Sequence, residues 1–553
     1  MSGAADLIDL QIMWNRLITV VEEQAKVLLR TAFSTIVREA GDLSAGVFDL
    51  QGRMLAQAVT GTPGHVNSMA ESVKHFIRHF PLDTMREGDA YICNDPWMGT
   101  GHLNDFVVTT PAFHRGKLVG LFSCTSHLMD IGGLGSGPEG LDVFMEGLYI
   151  PMLKLIDAGR VNQTLMAMIR ANTRLPVDTE GDTYSLAGCN DVGARRLSEM
   201  MEEFGIGSLD GLADFIVERS RQAVLAEVAG LPHGTWSNAM EVDGYDAPIL
   251  LRGTLTVSAA GMHMDYAGSG GLQRKGINVP LTYATAYTVY GMGCLVASRI
   301  PNNAGSLAPL TVSAPVGCVL NAPKPAPVSA RSVLGMMLPD MVFGCLRQAA
   351  PDLVPAEGAN CLWNIPLRGA WQDGTLFANS VSTTGGTGAR PALDGLSCTG
   401  FPSGIQGTPV EIAETQSPVI FWRKEFRPGS GGAGRTRGGL GQVIEIESRE
   451  ALPFALVSSF DRVVFPARGQ AGGADGARGT LGLASGKVFP GKGRHEVPPG
   501  ERLVLMTPGG AGLGPPAERD PAALAKDLDD GLVSDGLISA AVQPDGQAAC
   551  RGP

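Results

Sequence analysis

The chain of 553 residues is too long for one ordinary hydrophobic core, so we expect several domains or lobes. Its composition, 44% hydrophobic and 18% charged, excludes a largely disordered chain. The net charge of −12, without a basic cluster interleaved with aromatic residues, argues against nucleic acid as a partner.

The cysteines and one apolar segment bear on the compartment. None of the nine cysteines forms a CxxC pair, so we expect reduced thiols and a cytoplasmic protein. Residues 1–16 lack a basic start followed by an apolar run, and no signal peptide is expected. Residues 277–298 are uncharged and long enough for a membrane span, but Asn278 and Pro280 within them favour a buried helix. We therefore expect no membrane association.

The chain opens with a strongly periodic segment. Apolar residues recur at nearly helical spacing through residues 6–39, which predicts one long helix. Residues 42–55 form two apolar runs around Gln51 and Gly52, a pattern typical of a β-hairpin, with Asp42 at its mouth.

A second amphipathic helix is predicted over residues 66–80. His75 and His79 lie four apart on it, which is the spacing of a helical metal pair. The neighbouring Lys74 and Arg78 favour a solvated face instead.

Two HxxD units follow, each beside glycines. His102 and Asp105 form the first, and His127 and Asp130 form the second. Two apolar runs around a turn at residues 114–116 separate them, which predicts a hairpin that brings the units together. Imidazole and carboxylate ligands without a thiolate suit a divalent metal such as Mn, Fe or Zn with open positions for water. The alternative is that the histidines bond to nearby carboxylates only to hold loops.

The rest of the chain alternates between helical and extended patterns. Helices are predicted over residues 161–172, 187–204, 209–231, 281–298, 333–350 (interrupted at Pro339) and 520–537. Extended segments are predicted over residues 147–156, 253–270 (a hairpin with His263 as a strand residue), 443–447, 455–460, 480–483 and 502–507.

These patterns predict an α+β, multi-lobed protein with a long N-terminal helix, a mixed α/β metal-binding region and a glycine-rich, β-containing C-terminal half. An N-terminal α+β lobe of residues 1–231 would carry the metal site. A central α+β lobe (232–400), a β-rich, glycine-rich lobe (401–516) and a C-terminal helix and tail (517–553) would follow.

Two glycine-rich segments have the composition of ligand loops. Residues 135–140 match GxGxxG, but no dinucleotide fold surrounds them, and a loop packed beside the site is expected. Arg427, Arg435 and Arg437 lie among glycines that could present N–H groups to an anion, although a structural loop is favoured. The sequence lacks GxxxxGK[ST], GxSxG and HExxH, which argues against a P-loop ATPase, a serine hydrolase and a zincin.

Several long motifs occur in order along the chain. They are REAGDLSAGVFD (38–49), NDPWMGTGHLND (94–105), SHLMDIGG (126–133), FMEGLYIP (144–151), GINVPL, GGTGARPALDG, TPVEIAE, SGGAGRTRGGLG and GGAGLGPPAERDP. On these motifs the chain resembles the hydantoinase B/oxoprolinase family, which includes the B subunits of ATP-dependent N-methylhydantoinases, one half of 5-oxoprolinase and subunits of acetone and acetophenone carboxylases. Ala308 stands where an arginine is usual, which points to a different substrate, and Ala511 stands where a glycine is usual.

The resemblance implies a division of labour. A partner of the hydantoinase A type would bind ATP and Mg and phosphorylate the substrate, while the B chain holds a divalent metal and no nucleotide. The implied metal ligands are His102, Asp105 and His127, with Asp42 as a fourth. Asp130 would lie behind them, orienting His127 or receiving a proton, so His127 and Asp130 are the catalytic candidates.

The expected function is therefore ATP-dependent hydrolysis of a cyclic amide, such as a hydantoin, 5-oxoproline or a related lactam, in a hetero-oligomer such as (AB)2. A metal at this site would lower the pKa of water and prepare it to attack the activated carbon. Two alternatives remain open: a subunit of an acetone- or acetophenone-type carboxylase, and a non-catalytic scaffold for the A subunit.

Overall fold

The computed structural model describes residues 2–59, 61–135 and 137–533. They divide into two compact units. The first contains the described residues up to Ala350, with Asn379–Ser382 and Pro402–Pro409. The second contains Pro351–Ala378, Thr383–Phe401 and the described residues from Val410 onward. The predicted α+β class is confirmed, whereas the four-part division into lobes stays a prediction.

The first unit combines helices with two sheets. Its helices are α1 (Ser2–Thr31), α2 (Thr35–Arg38), α3 (Pro63–His79), α4 (Gln163–Asn172), α5 (Pro176–Glu203), α6 (Asp210–Ala229), α7 (Leu281–Val296), α8 (Ala304–Leu307), α9 (Ser332–Gly335) and α10 (Leu338–Leu346). Its strands are β1 (Leu43–Phe48), β2 (Met54–Gln57), β3 (Ala90–Cys93), β4 (Asp105–His114), β5 (Lys117–His127), β6 (Leu153–Asp157), β7 (Arg160–Val161), β8 (Gly234–Val242), β9 (Ile249–Ser258), β10 (Gly261–Asp265) and β11 (Leu310–Ser313). One sheet has seven antiparallel strands in the order β2-β1-β5-β4-β3-β6-β7, and the other has the order β11-β10-β9-β8.

The predicted single helix over residues 6–39 is wrong in one respect, because it is broken between α1 and α2. The backbone N–H groups of Phe33 and Ser34 donate to the Asp182 carboxylate of α5, over 2.6 and 3.2 Å. These two groups would otherwise continue the hydrogen-bond ladder of α1. A contact distant in sequence therefore decides where the helix stops.

The inner strands β1, β3, β4 and β5 of the seven-stranded sheet are buried on both faces. Neighbouring residues of β5 point to opposite sides, so Leu121 packs in the cluster under α3 while Phe122 packs against α5 at Gly193. A Cβ at Gly193 would lie 2.6 Å from the Phe122 ring, which shows how closely α5 approaches. Each fully buried aliphatic or aromatic side chain contributes about 1.5–3 kcal/mol to this packing.

Helix α7 is the buried helix predicted at residues 281–298. It packs against α3, and a Cβ at Gly64 would lie 2.6 Å from the Tyr287 ring and 2.7 Å from the Tyr283 ring. Only a glycine therefore allows α3 to begin this close to α7. Among the helices of the described residues, none is long and apolar enough to cross a membrane.

The second unit is built on two further sheets and short helices. Its elements are β12 (Leu362–Ala370), β13 (Leu376–Thr384, except Asn379–Ser382, which belong to the first unit), α11 (Val410–Gln416), β14 (Val419–Phe426), β15 (Gln442–Ser448), β16 (Phe454–Ser459), β17 (Thr480–Leu483), β18 (Lys492–Val497), β19 (Arg502–Met506) and α12 (Pro521–Asp529). The sheets have the orders β13-β12-β16-β18 and β14-β15-β19-β17, and the four strands predicted from residue 443 onward are confirmed. The predicted helix over 520–537 ends earlier, at Asp529, and residues 534–537 lie outside the described part of the chain.

Glycine-rich segments of the second unit pack backbone against backbone. The N–H of Gly432 donates to the carbonyl of Gly510, that of Gly510 to Gly439, and that of Gly439 to Thr387, each over 2.9 Å. A Cβ at Gly510 would lie 1.9 Å from the Thr387 carbonyl oxygen. The methyl group of Ala511, by contrast, lies in a small buried apolar cluster. Backbone hydrogen bonds therefore hold segments that leave almost no room for side chains.

Two of the three arginines among these glycines, Arg427 and Arg437, make structural contacts. The Arg437 guanidinium is buried and lies 3.2 Å from the Asp527 carboxylate of α12. Arg427 donates to the carbonyls of Arg478 and Thr507, over 2.7 and 3.2 Å. These contacts favour the structural loop over an anion site.

Candidate metal centre

The β4–β5 hairpin brings the two HxxD units to one end of the seven-stranded sheet. Asp105 at the start of β4 is the cross-strand partner of His127 at the end of β5. The start of β1 lies beside them, since Leu43 pairs with Ser126 and the His127 N–H donates to the Asp42 carbonyl over 3.1 Å. The predicted hairpin is confirmed, and its register explains why these residues are neighbours.

His102, Asp105 and His127 form one cluster. His102 Nε2 lies 2.6 Å from Asp105 Oδ1, and His127 Nδ1 lies 3.2 Å from the same oxygen. One potential ligand atom from each residue lies within 4.8 Å of the other two. The side chains of His102 and Asp105 are 5% and 0% exposed, whereas that of His127 is 17% exposed, so the cluster opens on the His127 side.

The protonation of His102 bears on whether the cluster fits a cation. His102 Nδ1 lies 2.9 Å from the Ser329 carbonyl oxygen, which can only accept, so Nδ1 carries the proton. Burial, assisted by the Arg331 charge, lowers the pKa of His102 to about 3, and the ring is neutral. Its bare Nε2 therefore faces a carboxylate oxygen with no proton between them. Two electron-pair donors facing each other in a buried site, with a second imidazole beside them, fit a divalent cation.

Asp105 stays ionised despite its burial. Burial alone would raise the pKa of its carboxyl, but the neighbouring His65 imidazole and Arg331 guanidinium outweigh this and hold it well below the usual range. Its second oxygen, Oδ2, accepts from Arg331 Nη2 over 2.6 Å and lies 2.9 Å from His65 Nε2. One guanidinium and one imidazole thus engage the second oxygen of this buried carboxylate.

His65 and Arg331 were missed by the sequence reasoning. His65 lies in the first turn of α3, which begins at Pro63, three residues before the predicted start. A proline at the first helical position is a known start signal, so Pro63 could have revealed it. Arg331 is 226 residues from Asp105, and no local pattern connects the two.

Asp42 lies beside the cluster and contacts it through His65. Its buried carboxylate lies 3.4 Å from His65 Nδ1, and Thr62 Oγ1 donates to it over 3.4 Å. This position is compatible with a fourth ligand, a role that stays a prediction for Asp42.

Asp130 is occupied elsewhere. Its carboxylate accepts from Arg174 Nη1 over 2.6 Å and from the N–H groups of Gly132 and Leu175, each over 3.3 Å. These bonds anchor the chain just before α5 begins. The role predicted for Asp130, orienting His127 or receiving a proton, stays a prediction, and these contacts do not favour it.

Two further features singled out from the sequence, His263 and the GxGxxG loop, are not part of the cluster. His263 is a residue of β10, as predicted, and its Nδ1 lies 2.8 Å from Thr311 Oγ1. The GxGxxG loop does adjoin the site, since the Ser329 hydroxyl donates to the Gly137 carbonyl over 2.8 Å.

The chain belongs to the Hydantoinase B/oxoprolinase family, whose sequence model matches residues 6–516. It is 28% identical over 566 residues to the caprolactamase subunit beta of Pseudomonas jessenii, covering 96% of this chain and 95% of that protein. It is 28% identical over 548 residues to 5-oxoprolinase 1 of Arabidopsis thaliana, covering 93% of this chain but only 42% of that longer protein. The crystal structure of the ATP-dependent caprolactamase from Pseudomonas jessenii matches with a TM-score of 0.88 at 26% identity, over 95% of this chain and 94% of that one.

Proposed function

We propose that this chain is the metal-binding B subunit of an ATP-dependent hydrolase that opens cyclic amides, such as hydantoins, 5-oxoproline or related lactams. The observation that carries the proposal is the buried cluster of His102, Asp105 and His127 in a member of the Hydantoinase B/oxoprolinase family. Two of its relatives are named for cyclic amides, 5-oxoproline and caprolactam, which supports the substrate class.

The activating step belongs, in this proposal, to a partner of the hydantoinase A type. That subunit would bind ATP and Mg and phosphorylate the amide oxygen, which makes the ring carbon electrophilic. A relative named as a subunit beta and a similar structure described as ATP-dependent support this arrangement. The absence of a GxxxxGK[ST] motif from this sequence agrees with it. We infer a hetero-oligomer such as (AB)2.

The cluster residues have distinct tasks in this proposal. His102, Asp105 and His127, with Asp42 as the fourth ligand, would hold a divalent metal such as Mn, Zn or Fe, which supplies Lewis acidity and lowers the pKa of water. The Ser329 carbonyl keeps His102 in one tautomer, so that Nε2 always presents its lone pair. His127 is the most exposed side chain of the cluster, which supports its proposed role as the group that meets the activated substrate.

The test combines both subunits with ATP and a panel of cyclic amides. Ring-opened product and ADP should form together, and only when both chains and ATP are present. His127→Ala should lower the rate by at least about 100-fold, in line with losses on removing groups that handle protons or hold the metal. His263→Ala, a matched change on β10 away from the cluster, should leave the rate unchanged.

Other outcomes separate the alternatives. Incorporation of carbon from labelled bicarbonate would indicate a carboxylase. A native chain that contains no metal would favour a scaffold. A His127→Ala variant that keeps its metal and its full coupled activity would refute the proposed site.

A further inference from the structure

The two oxygens of the Asp105 carboxylate face different surroundings. Oδ1 faces His102 and His127, the groups of the proposed metal site. Oδ2 points away from them and is engaged by Arg331 at 2.6 Å and by His65 at 2.9 Å. The side chain of Asp105 is fully buried. One oxygen of the carboxylate therefore faces the proposed cation site, while the other is bound by protein side chains.

Arg331 is itself fixed on several sides. Its Nε donates to the Thr100 carbonyl over 2.6 Å, and its guanidinium lies 4.0 Å from the centre of the Tyr283 ring. Gly101, with φ of +93°, lets the loop before Asp105 approach so closely that a Cβ there would lie 2.7 Å from Arg331 Cδ. A planar group with a fork of N–H donors meets all these contacts at once, which a lysine ammonium does not.

The same segment of chain also holds His102. The carbonyl of Ser329, two residues before Arg331, accepts from His102 Nδ1. The N–H groups of Val328 and Ser329 in turn donate to Glu146 Oε1 over 2.7 and 2.9 Å. Residues 328–331 therefore contact both His102 and Asp105 and are anchored by a buried carboxyl group.

We propose that His65 and Arg331 are positioning residues, which hold Asp105 so that Oδ1 points into the metal site before a cation arrives. The inference rests on the metal site proposed above and goes beyond it by assigning a task to two residues that do not belong to its ligand set. A carboxylate already fixed by its second oxygen loses little freedom on binding a metal. Removing such outer partners typically weakens metal binding about 10- to 100-fold.

The test compares four variants of the full chain in their affinity for Mn²⁺ and Zn²⁺, measured by competition with a chelator. His65→Leu removes the N–H that lies against Oδ2 and should weaken binding by about 10- to 100-fold. His65→Gln keeps an N–H donor and should recover most of that loss. Arg331→Lys keeps the charge but not the fork, and should weaken binding by at least about tenfold. His79→Leu, a matched change on an exposed face of α3, should bind like the wild type.

Circular dichroism establishes that each variant is folded before its affinity is compared. If Arg331→Lys does not fold, the pair of His65 variants decides the question alone. A His65→Leu chain that binds both ions within twofold of the wild type would overturn the inference while the metal site stands. So would equal losses in His65→Leu and His65→Gln, because a donor at this position would then not matter. If the wild-type chain binds neither Mn²⁺ nor Zn²⁺, and also fails to bind Fe²⁺ in the same competition assay, the proposed metal site fails, and the inference falls with it.

Discussion

Replacing Asp105 by asparagine tests the electrostatics of the cluster without changing its shape. Asp105→Asn removes one charge and keeps one oxygen that can accept a hydrogen bond. The Arg331 guanidinium, 2% exposed, would then lose its buried counter-charge. Removing one partner of a buried ion pair typically destabilises a protein by about 3–5 kcal/mol. Because the amide oxygen still accepts one bond, we expect the lower end, about 3 kcal/mol, from a total of roughly 5–15 kcal/mol.

The assay is chemical denaturation of the metal-free chain at neutral pH, followed by circular dichroism. Asp105 is ionised there, since its pKa lies well below the ordinary value and its charge is lost only on strong acidification. The double variant Asp105→Asn/Arg331→Met is the control, because it removes both charges together. It should recover part of the lost stability, which gives a positive coupling between the two positions.

A loss of less than about 1 kcal/mol in Asp105→Asn would refute this reasoning, because it would mean that Arg331 is compensated without the carboxylate. A double variant no more stable than the single one would also contradict it.

Three further predictions concern residues outside the cluster. Gly510→Ala should lower the free energy of unfolding by at least about 3 kcal/mol, because its methyl carbon would lie 1.9 Å from the Thr387 carbonyl oxygen. Gly188→Ala in α5, where a Cβ would have no neighbouring atom within 4 Å, should instead raise it by about 0.5–1 kcal/mol. Chemical denaturation measures both changes. Burial raises the pKa of Glu146 from 4.5 to about 7, so the native state keeps a proton that the unfolded chain loses between these pH values. Wild-type stability should therefore fall relative to Glu146→Gln as pH rises through this window, and parallel stability curves would contradict the assignment. Asp182→Ala should cost about 1–2 kcal/mol and loosen the junction between α1 and α2, visible as faster amide exchange there.

Local sequence patterns were sufficient to predict which residues of the cluster a single hairpin brings together. His102, Asp105 and His127 are close together because β4 and β5 pair in one register, and alternation of apolar residues around a turn predicts such pairing. The same reasoning placed Asp42 at the mouth of the neighbouring hairpin, where its backbone bonds to β5.

Contacts between distant segments were beyond such patterns. Arg331 donates to Asp105 from a position just before α9, and the sequence around it predicts only the start of a helix. The break between α1 and α2 depends on the Asp182 carboxylate, which no periodicity within residues 6–39 reveals. In both cases a single polar side chain, rather than an apolar pattern, determines the structure.

The glycine segments of the second unit have a consequence for how the chain can vary. Where two side chains touch, a larger residue on one side can be offset by a smaller one on the other. At Gly432, Gly439 and Gly510 the neighbours are main chain or glycine, and no smaller residue exists to make such an exchange. We therefore expect no pairs of compensating substitutions at these glycines, although such pairs are common between side chains in contact. Substitution in this region is possible only where the fold leaves room for a methyl group, as it does at Ala511.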